Sequence, residues 1–220
     1  MTRKMPPRTV VFDLDGTLVD SLPLVLAAIR HAIEPFGGSA SMDIFAHLGG
    51  PPQSFLPKLV SDPSHVPEAV RRMYLFHHGN AHLIRPYEGV RSLLKRLNEL
   101  GVRVAIWTGR DRESTDSLLR THDFGELMAA VVCGDDLSSH KPDPAGLREI
   151  MTRLGSAATE TLFVGDADVD VLGGHACGVD TVLIRHGRVI EPGIREKSWK
   201  IVRTPADAYE LVLGSVERPA

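Results

Sequence analysis

Four short stretches of this 220-residue chain carry side chains that can do chemistry together. Asp13 and Asp15 stand two residues apart and are followed by Gly16 and Thr17. Next come Thr108-Gly109-Arg110, then Lys141-Pro142-Asp143-Pro144, then Gly165-Asp166 with Asp168 and Asp170. Clustered carboxylates repel one another unless a cation shares the site. Hard aspartate oxygens suit magnesium, which keeps several waters and helps to hold phosphate groups. Ionised Asp13, Asp166 and Asp170 plus a phosphate dianion outweigh magnesium and Lys141, so the surplus charge falls to backbone N–H groups and hydroxyls. Gly16, Gly109 and Gly165 let the backbone come close enough to take it. A carboxylate nucleophile splits phosphate ester hydrolysis into two steps. A second carboxylate two residues on can donate a proton to the leaving alcohol and then take one from water.

These groups need elements to position them. Five apolar, β-branched runs supply candidates: Thr9–Leu14, Val102–Trp107, Ala130–Cys133, Thr161–Val164 and Thr181–Ile184. Each is nearly continuous rather than alternating, as strands buried on both faces are. Between them lie helix-period segments. Val90, Leu93, Leu94 and Leu97 recur at helical spacing before Gly101, and Asp116–Arg120, Pro144–Leu154 and Asp168–Cys177 are further candidates. This alternation predicts an α/β fold, a Rossmann-like parallel sheet with helices on both faces. Ligands bind such sheets at the carboxyl ends of the strands, where the four stretches fall. The interval 21–85 breaks the rhythm. Leu22, Val25, Leu26, Ile29 and Ile33 form one helical stripe, with Asp20 or Ser21 as its N-cap. The Gly49–Pro52 cluster marks a loop, and helical pattern returns from Pro67 to Leu83. The expected organisation is a core of 1–20 and 86–220 interrupted by a helical cap of 21–85. Residues 186–198 read as a polar loop before a last short strand and helix.

Asp-x-Asp-Gly-Thr, a strand ending in Thr, Lys-Pro-Asp-Pro and Gly-Asp-x-x-x-Asp, in this order, resemble the haloacid dehalogenase-like hydrolase superfamily. The resemblance covers almost the whole chain and is nearest to the phosphoglycolate phosphatase-like branch with a helical cap. It implies that Asp13 is a nucleophile forming an aspartyl-phosphate. Asp15 would be the general acid and base, with its backbone carbonyl on magnesium. Thr108 would hold the phosphoryl group, and Lys141 would neutralise nucleophile and phosphate. Asp166 would ligate magnesium, and Asp170 would help to position the metal shell. Asp168, like Asp170, also suits the helix dipole. The implied activity is magnesium-dependent hydrolysis of a small phosphorylated metabolite, phosphoglycolate-like or a sugar phosphate. A sugar phosphomutase of the same superfamily and a non-catalytic receiver-like phospho-acceptor are the alternatives. Receivers place two adjacent acids after the first strand and lack an insert of this size. Phosphonate cleavage would need a Schiff-base lysine in the cap, where Lys58 stands without a supporting motif, and Asp15 disfavours a true dehalogenase.

The chain departs from the family pattern in places. Where relatives often have Asn after the Thr, this chain has Gly109 and then Arg110. That guanidinium would bind a substrate carboxylate or phosphate, point into solvent, or pair with Asp111. Pro86-Tyr87-Glu88-Gly89 and His175 also differ from common patterns. Substrate choice falls to the cap, with His47, Gly49, Gln53 and Arg110 as residues expected to face the site.

Composition narrows the classes further. With 43% apolar and 24% charged residues the chain is neither disordered nor, with only Cys133 and Cys177, a disulfide scaffold. Both cysteines sit among small or apolar neighbours, as inert buried thiols do. A net charge of −3 implies no nucleic-acid partner. No apolar run is long enough for a membrane span or signal peptide, which predicts a cytoplasmic monomer or homodimer. The run Asp166-Ala-Asp168-Val-Asp170 is no EF-hand, because Val171 and Cys177 replace its Gly and Glu. His77, His78 and His82 lack the Glu or Cys that would make them a metal set, and no Walker or dinucleotide glycine motif occurs.

Overall fold

A computed structural model describes residues 5–48 and 50–217. Its strands are β1 (Thr9–Phe12), β2 (Val19–Asp20), β3 (Arg85–Pro86), β4 (Arg103–Trp107), β5 (Ala130–Val132), β6 (Thr161–Gly165), β7 (Asp180–Ile184) and β8 (Lys200–Val202). Its α-helices are α1 (Leu22–Ile33), α2 (Pro52–Phe55), α3 (Val66–Asn80), α4 (Val90–Glu99), α5 (Arg112–Thr121), α6 (Ala145–Leu154), α7 (Asp168–Ala176), α8 (Pro192–Lys197) and α9 (Pro205–Val216). Six strands form one parallel sheet in the order β5-β4-β1-β6-β7-β8.

The continuous apolar runs are explained by burial on both faces. Successive residues of a strand point to opposite faces. Val10 and Phe12 of β1 pack in one cluster with Leu93, Leu94 and Leu97 of α4 and Val212 of α9. Val11 packs on the other face with Leu147 and Ile150 of α6. The sheet thus has helices on both sides, as the alternation of patterns predicts.

Between β2 and β3, which pair antiparallel with Val19 opposite Pro86, the described residues hold helices and no strand. Here α1 and α3 pack together over a separate cluster in which Ile29, Ile33, Leu56 and Met73 are buried. Of the single stripe read along α1, Ile29 and Ile33 lie in that cluster, whereas Leu22 and Leu26 pack with Phe45 in a neighbouring one.

Three boundaries differ from expectation. Ser21 does stand at the N-cap of α1, but its hydroxyl makes no cap bond; it donates to Asp15 instead. Helix α5 starts at Arg112 rather than Asp116, because the Asp111 carboxylate caps it by accepting from the Ser114 N–H at 2.9 Å. The stretch 186–198, expected to be a loop, contains α8.

Trp107, last residue of β4, is gripped by glycines. A Cβ on Gly146 of α6 would run into its Nε1, and one on Gly173 of α7 would meet its benzene edge at 2.6 Å. Gly146→Ala should therefore destabilise the protein by about 1–2 kcal/mol, overpacking outweighing the helix preference for Ala. A urea-denaturation midpoint that holds or rises would show instead that the indole can move aside.

Candidate active site

Every side chain of the site leaves the carboxyl edge of the sheet. Asp13 follows β1 directly, and its N–H still donates to Val164 O at 2.8 Å, which holds the residue level with the end of β6. Asp166 follows β6, and Asp170 lies in the first turn of α7, where its Oδ2 accepts from the Ala167 N–H at 3.0 Å. Lys141 arrives from the loop after β5. Its Nζ stands 2.6 Å from Asp13 Oδ1 and 2.7 Å from Asp170 Oδ1. The ammonium also lies 5.0 Å from the centroid of Trp107 and 5.4 Å from that of Phe163. All four charged residues are buried.

Two glycines make this cluster possible. Gly16 has φ +77°, and a Cβ there would strike the Asp166 carboxylate. A Cβ on Gly165 would strike the Asp170 carboxylate. The backbone turns therefore fit against carboxylates with no room to spare.

Asp13, Asp166 and Asp170 each offer an oxygen within 4.8 Å of the others. Three buried carboxylates share one ammonium, and the imbalance is visible in their protonation. Burial pushes the Asp13 carboxyl up to about 7, Lys141 opposing the rise and Asp170 adding to it. Burial likewise raises Asp166 well above the usual range, helped by Asp13 and Asp170. Lys141 goes the other way: burial disfavours its charge, yet Asp13 and Asp170 outweigh burial and raise its pKa. An all-oxygen, convergent, charge-deficient set of this kind fits a hard divalent cation such as magnesium.

Asp15 does not join that set. Its carboxylate receives Arg110 in a two-pronged pair, with Nε to Oδ2 at 3.0 Å and Nη2 on Oδ1, and the Ser21 hydroxyl at 2.5 Å. Burial opposes its charge, but Arg110 and Ser21 prevail and hold the carboxyl below its usual range. Arg110 Nη1 lies 3.1 Å from His77 Nε2, from α3. Of the roles open to Arg110 in the sequence, the structure takes a different one: it pairs with Asp15, while Asp111 serves as a helix cap.

The remaining expected residues divide. Thr108 is buried at the end of β4, with Oγ1 accepting from the Arg110 N–H at 3.1 Å. Gly109 and Arg110 line the same cleft as Asp13 and Lys141, a space of about 910 Å³ partly open to solvent. His47 and Gln53, expected to face the site, are exposed and do not line the cleft. Gly49 lies outside the described residues. Asp168 is more than a dipole partner, since its Oδ1 pairs with Arg188 at 3.2 Å.

Sequence reasoning passed over four contacts. Ser21 and His77 reach the site from the helical insertion. Beyond β7, His186 Nε2 lies 2.7 Å from Gly16 O, and Arg188 Nη2 donates to Asp166 O at 2.6 Å. His186 and Arg188 follow the carboxyl end of a strand, so reading the residues after β7 as was done for the others would have found them.

Comparison with known proteins agrees with this arrangement. The chain is 34% identical over 214 residues to pyrophosphatase PpaX of Halalkalibacterium halodurans, covering 94% of this chain and 98% of the relative. It is 33% identical to a phosphoglycolate phosphatase of Pseudomonas fluorescens, covering 97% and 82%. A solved hydrolase from Pseudomonas syringae superposes with a TM-score of 0.80 at 21% identity, covering 94% and 98%. Residues 10–184 match the family description haloacid dehalogenase-like hydrolase, and with the sheet edge, the carboxylate trio and Lys141 in the matched span, the chain belongs to that family.

Proposed function

We propose that this hydrolase is a magnesium-dependent phosphatase that cleaves a small phosphorylated metabolite through an aspartyl-phosphate on Asp13. The observation that carries the reading is the buried group of Asp13, Lys141, Asp166 and Asp170, which offers one nucleophilic carboxylate and a place for one divalent cation. Asp13, Asp166 and the backbone carbonyl of Asp15 would hold the metal, with Asp170 completing its surroundings. Bound there, magnesium would supply positive charge to the phosphoryl oxygens.

The chain's own groups then divide the work. Asp13 attacks phosphorus and the bond to the leaving oxygen breaks. Lys141 and the Thr108 hydroxyl hold the phosphoryl oxygens as their charge grows. Asp15, kept ionised by Arg110, is suited to take a proton from the water that cleaves the aspartyl-phosphate. In the first step the proton it hands to the leaving oxygen arrives with the substrate, as the phosphate monoanion. Residues 21–85 form a cap over the cleft and shield part of it from bulk water. The resemblance brings phosphoglycolate-like compounds and sugar phosphates as substrates, and relatives named phosphoglycolate phosphatase support the former, whereas the apolar cap-side wall argues against a carboxylate on the substrate.

Magnesium should raise the melting temperature by relieving repulsion among the three carboxylates, and chelation should abolish hydrolysis of an aryl phosphate. Asp170→Asn should reduce the thermal shift. Full activity after exhaustive chelation would exclude the metal.

Asp13→Asn should lower turnover by about 10⁴-fold or more without loss of stability, because the amide is nearly isosteric and removes a repulsive charge. Retention of a tenth of wild-type turnover would contradict the nucleophile assignment.

Asp15→Asn should slow hydrolysis by about 10²–10⁴-fold and let phosphate accumulate on Asp13, since the second step suffers whatever the leaving group. Quenched-flow mass spectrometry with an aryl phosphate would detect the adduct. An adduct on another residue, or wild-type turnover of an alkyl phosphate, would refute this division of roles.

A further inference from the structure

The cleft above Asp13 has two unlike walls. The sheet side carries the carboxylates, Thr108 and Lys141, whereas the helical insertion contributes Val25, Phe45, Leu48, Phe55 and Met73. The polar groups that α3 adds bring no cation. Burial raises the Tyr74 phenol above its ordinary value, and His77 meets Arg110.

Charge is as informative as shape. Among the described residues lining the cleft, the cationic side chains are Arg110 and Lys141. Lys141 is committed to Asp13 and Asp170, and Arg110 is committed to Asp15 through a two-pronged pair with its side chain only 6% exposed. Burial and the neighbouring guanidinium push the His77 imidazole down to about 4, so it is neutral at physiological pH. A carboxylate or second phosphate on the substrate would meet an apolar wall with no cation to spare, at a steep desolvation cost.

We propose that the substrate is a phosphate monoester of an apolar alcohol, an alkyl or aryl group with no carboxylate and no second phosphate, whose body packs against Val25, Phe45, Phe55 and Met73. This rests on the phosphatase reading and narrows its substrate class. Water adds across the P–O bond, and the products are the apolar alcohol and inorganic phosphate. Each methylene taken from water against this wall should favour the bound ester by about fourfold, so the chain length of the leaving group is itself the probe.

The test compares kcat/KM, with magnesium, for ethyl, butyl and hexyl phosphate, whose leaving alcohols have nearly the same basicity. Acetyl phosphate serves as a small activated acyl phosphate and phosphoglycolate as a carboxylated ester. From ethyl to hexyl, kcat/KM should rise at least about tenfold, a conservative reading of the per-methylene gain, and phosphoglycolate should fall below ethyl phosphate. Phe55→Ser and Val25→Ser should each flatten the series. Turnover of acetyl phosphate with a flat alkyl series, or with phosphoglycolate preferred, would overturn this inference and leave the phosphatase reading standing. A gradient that survives both substitutions would overturn the assignment to this wall. No turnover of any of these phosphates would overturn both readings.

Discussion

One ammonium group organises this site. Lys141 is buried and faces Asp13 on one side and Asp170 on the other. A buried charge without partners is untenable, so the lysine requires a carboxylate beside it, and the carboxylates require the lysine. Its position in turn depends on Trp107 and Phe163, whose rings lie beneath the ammonium, and Trp107 depends on the two glycines that leave it space. Deletion of the lysine would leave uncompensated carboxylates in a dry interior, the situation in which buried ion pairs matter most, whereas loss of one carboxylate leaves the ammonium another partner. Lys141 neutralises only part of the acidic set, and the deficit that remains is what makes the place suited to a divalent cation.

The second pairing, Asp15 with Arg110, is of a different kind. It joins a residue after β1 to one after β4 and reaches His77 on α3. The insertion therefore touches the reactive end of the sheet through polar atoms at two points, Ser21 and His77, and through apolar side chains over most of its wall. Charge handling falls to the sheet and shape to the helices, which is why residues so different in type line one cleft.

Much of this was legible in the sequence. The five buried runs became strands of the parallel sheet because continuous β-branched segments have nowhere else to bury both faces. The motif residues fell together because each follows such a strand. What was not legible depended on long-range geometry. Nothing near Arg110 in sequence distinguishes a partner in Asp15 from one in Asp111; only the approach of β4 beside β1 decides it. Arg188 and His186 were hidden inside a stretch whose polarity reads as solvent-exposed loop, although they support Asp166 and Gly16 by bonds to backbone carbonyls. Of the short elements, α8 is too brief for periodicity to register, while β8 falls where a last short strand was expected.

The place of β1 at the middle of the sheet has a consequence for how the protein is made. Thr9 pairs with Arg103 on one side and with Thr161 on the other, and no nearer segment can satisfy this strand. During synthesis the strand that ends just before Asp13 emerges well ahead of its partners and waits, mostly apolar, for β4 near the middle of the chain and for β6 still later. Contacts of such long sequence separation form slowly, because the loop must close before its reward arrives. The antiparallel clasp of β2 and β3 brings the ends of residues 21–84 together, so that with it in place the loop between β1 and β4 is effectively shorter. Assembly of the nascent chain is thus ordered toward its far end, and a polypeptide arrested before β6 would expose an aggregation-prone edge where the finished enzyme has its centre.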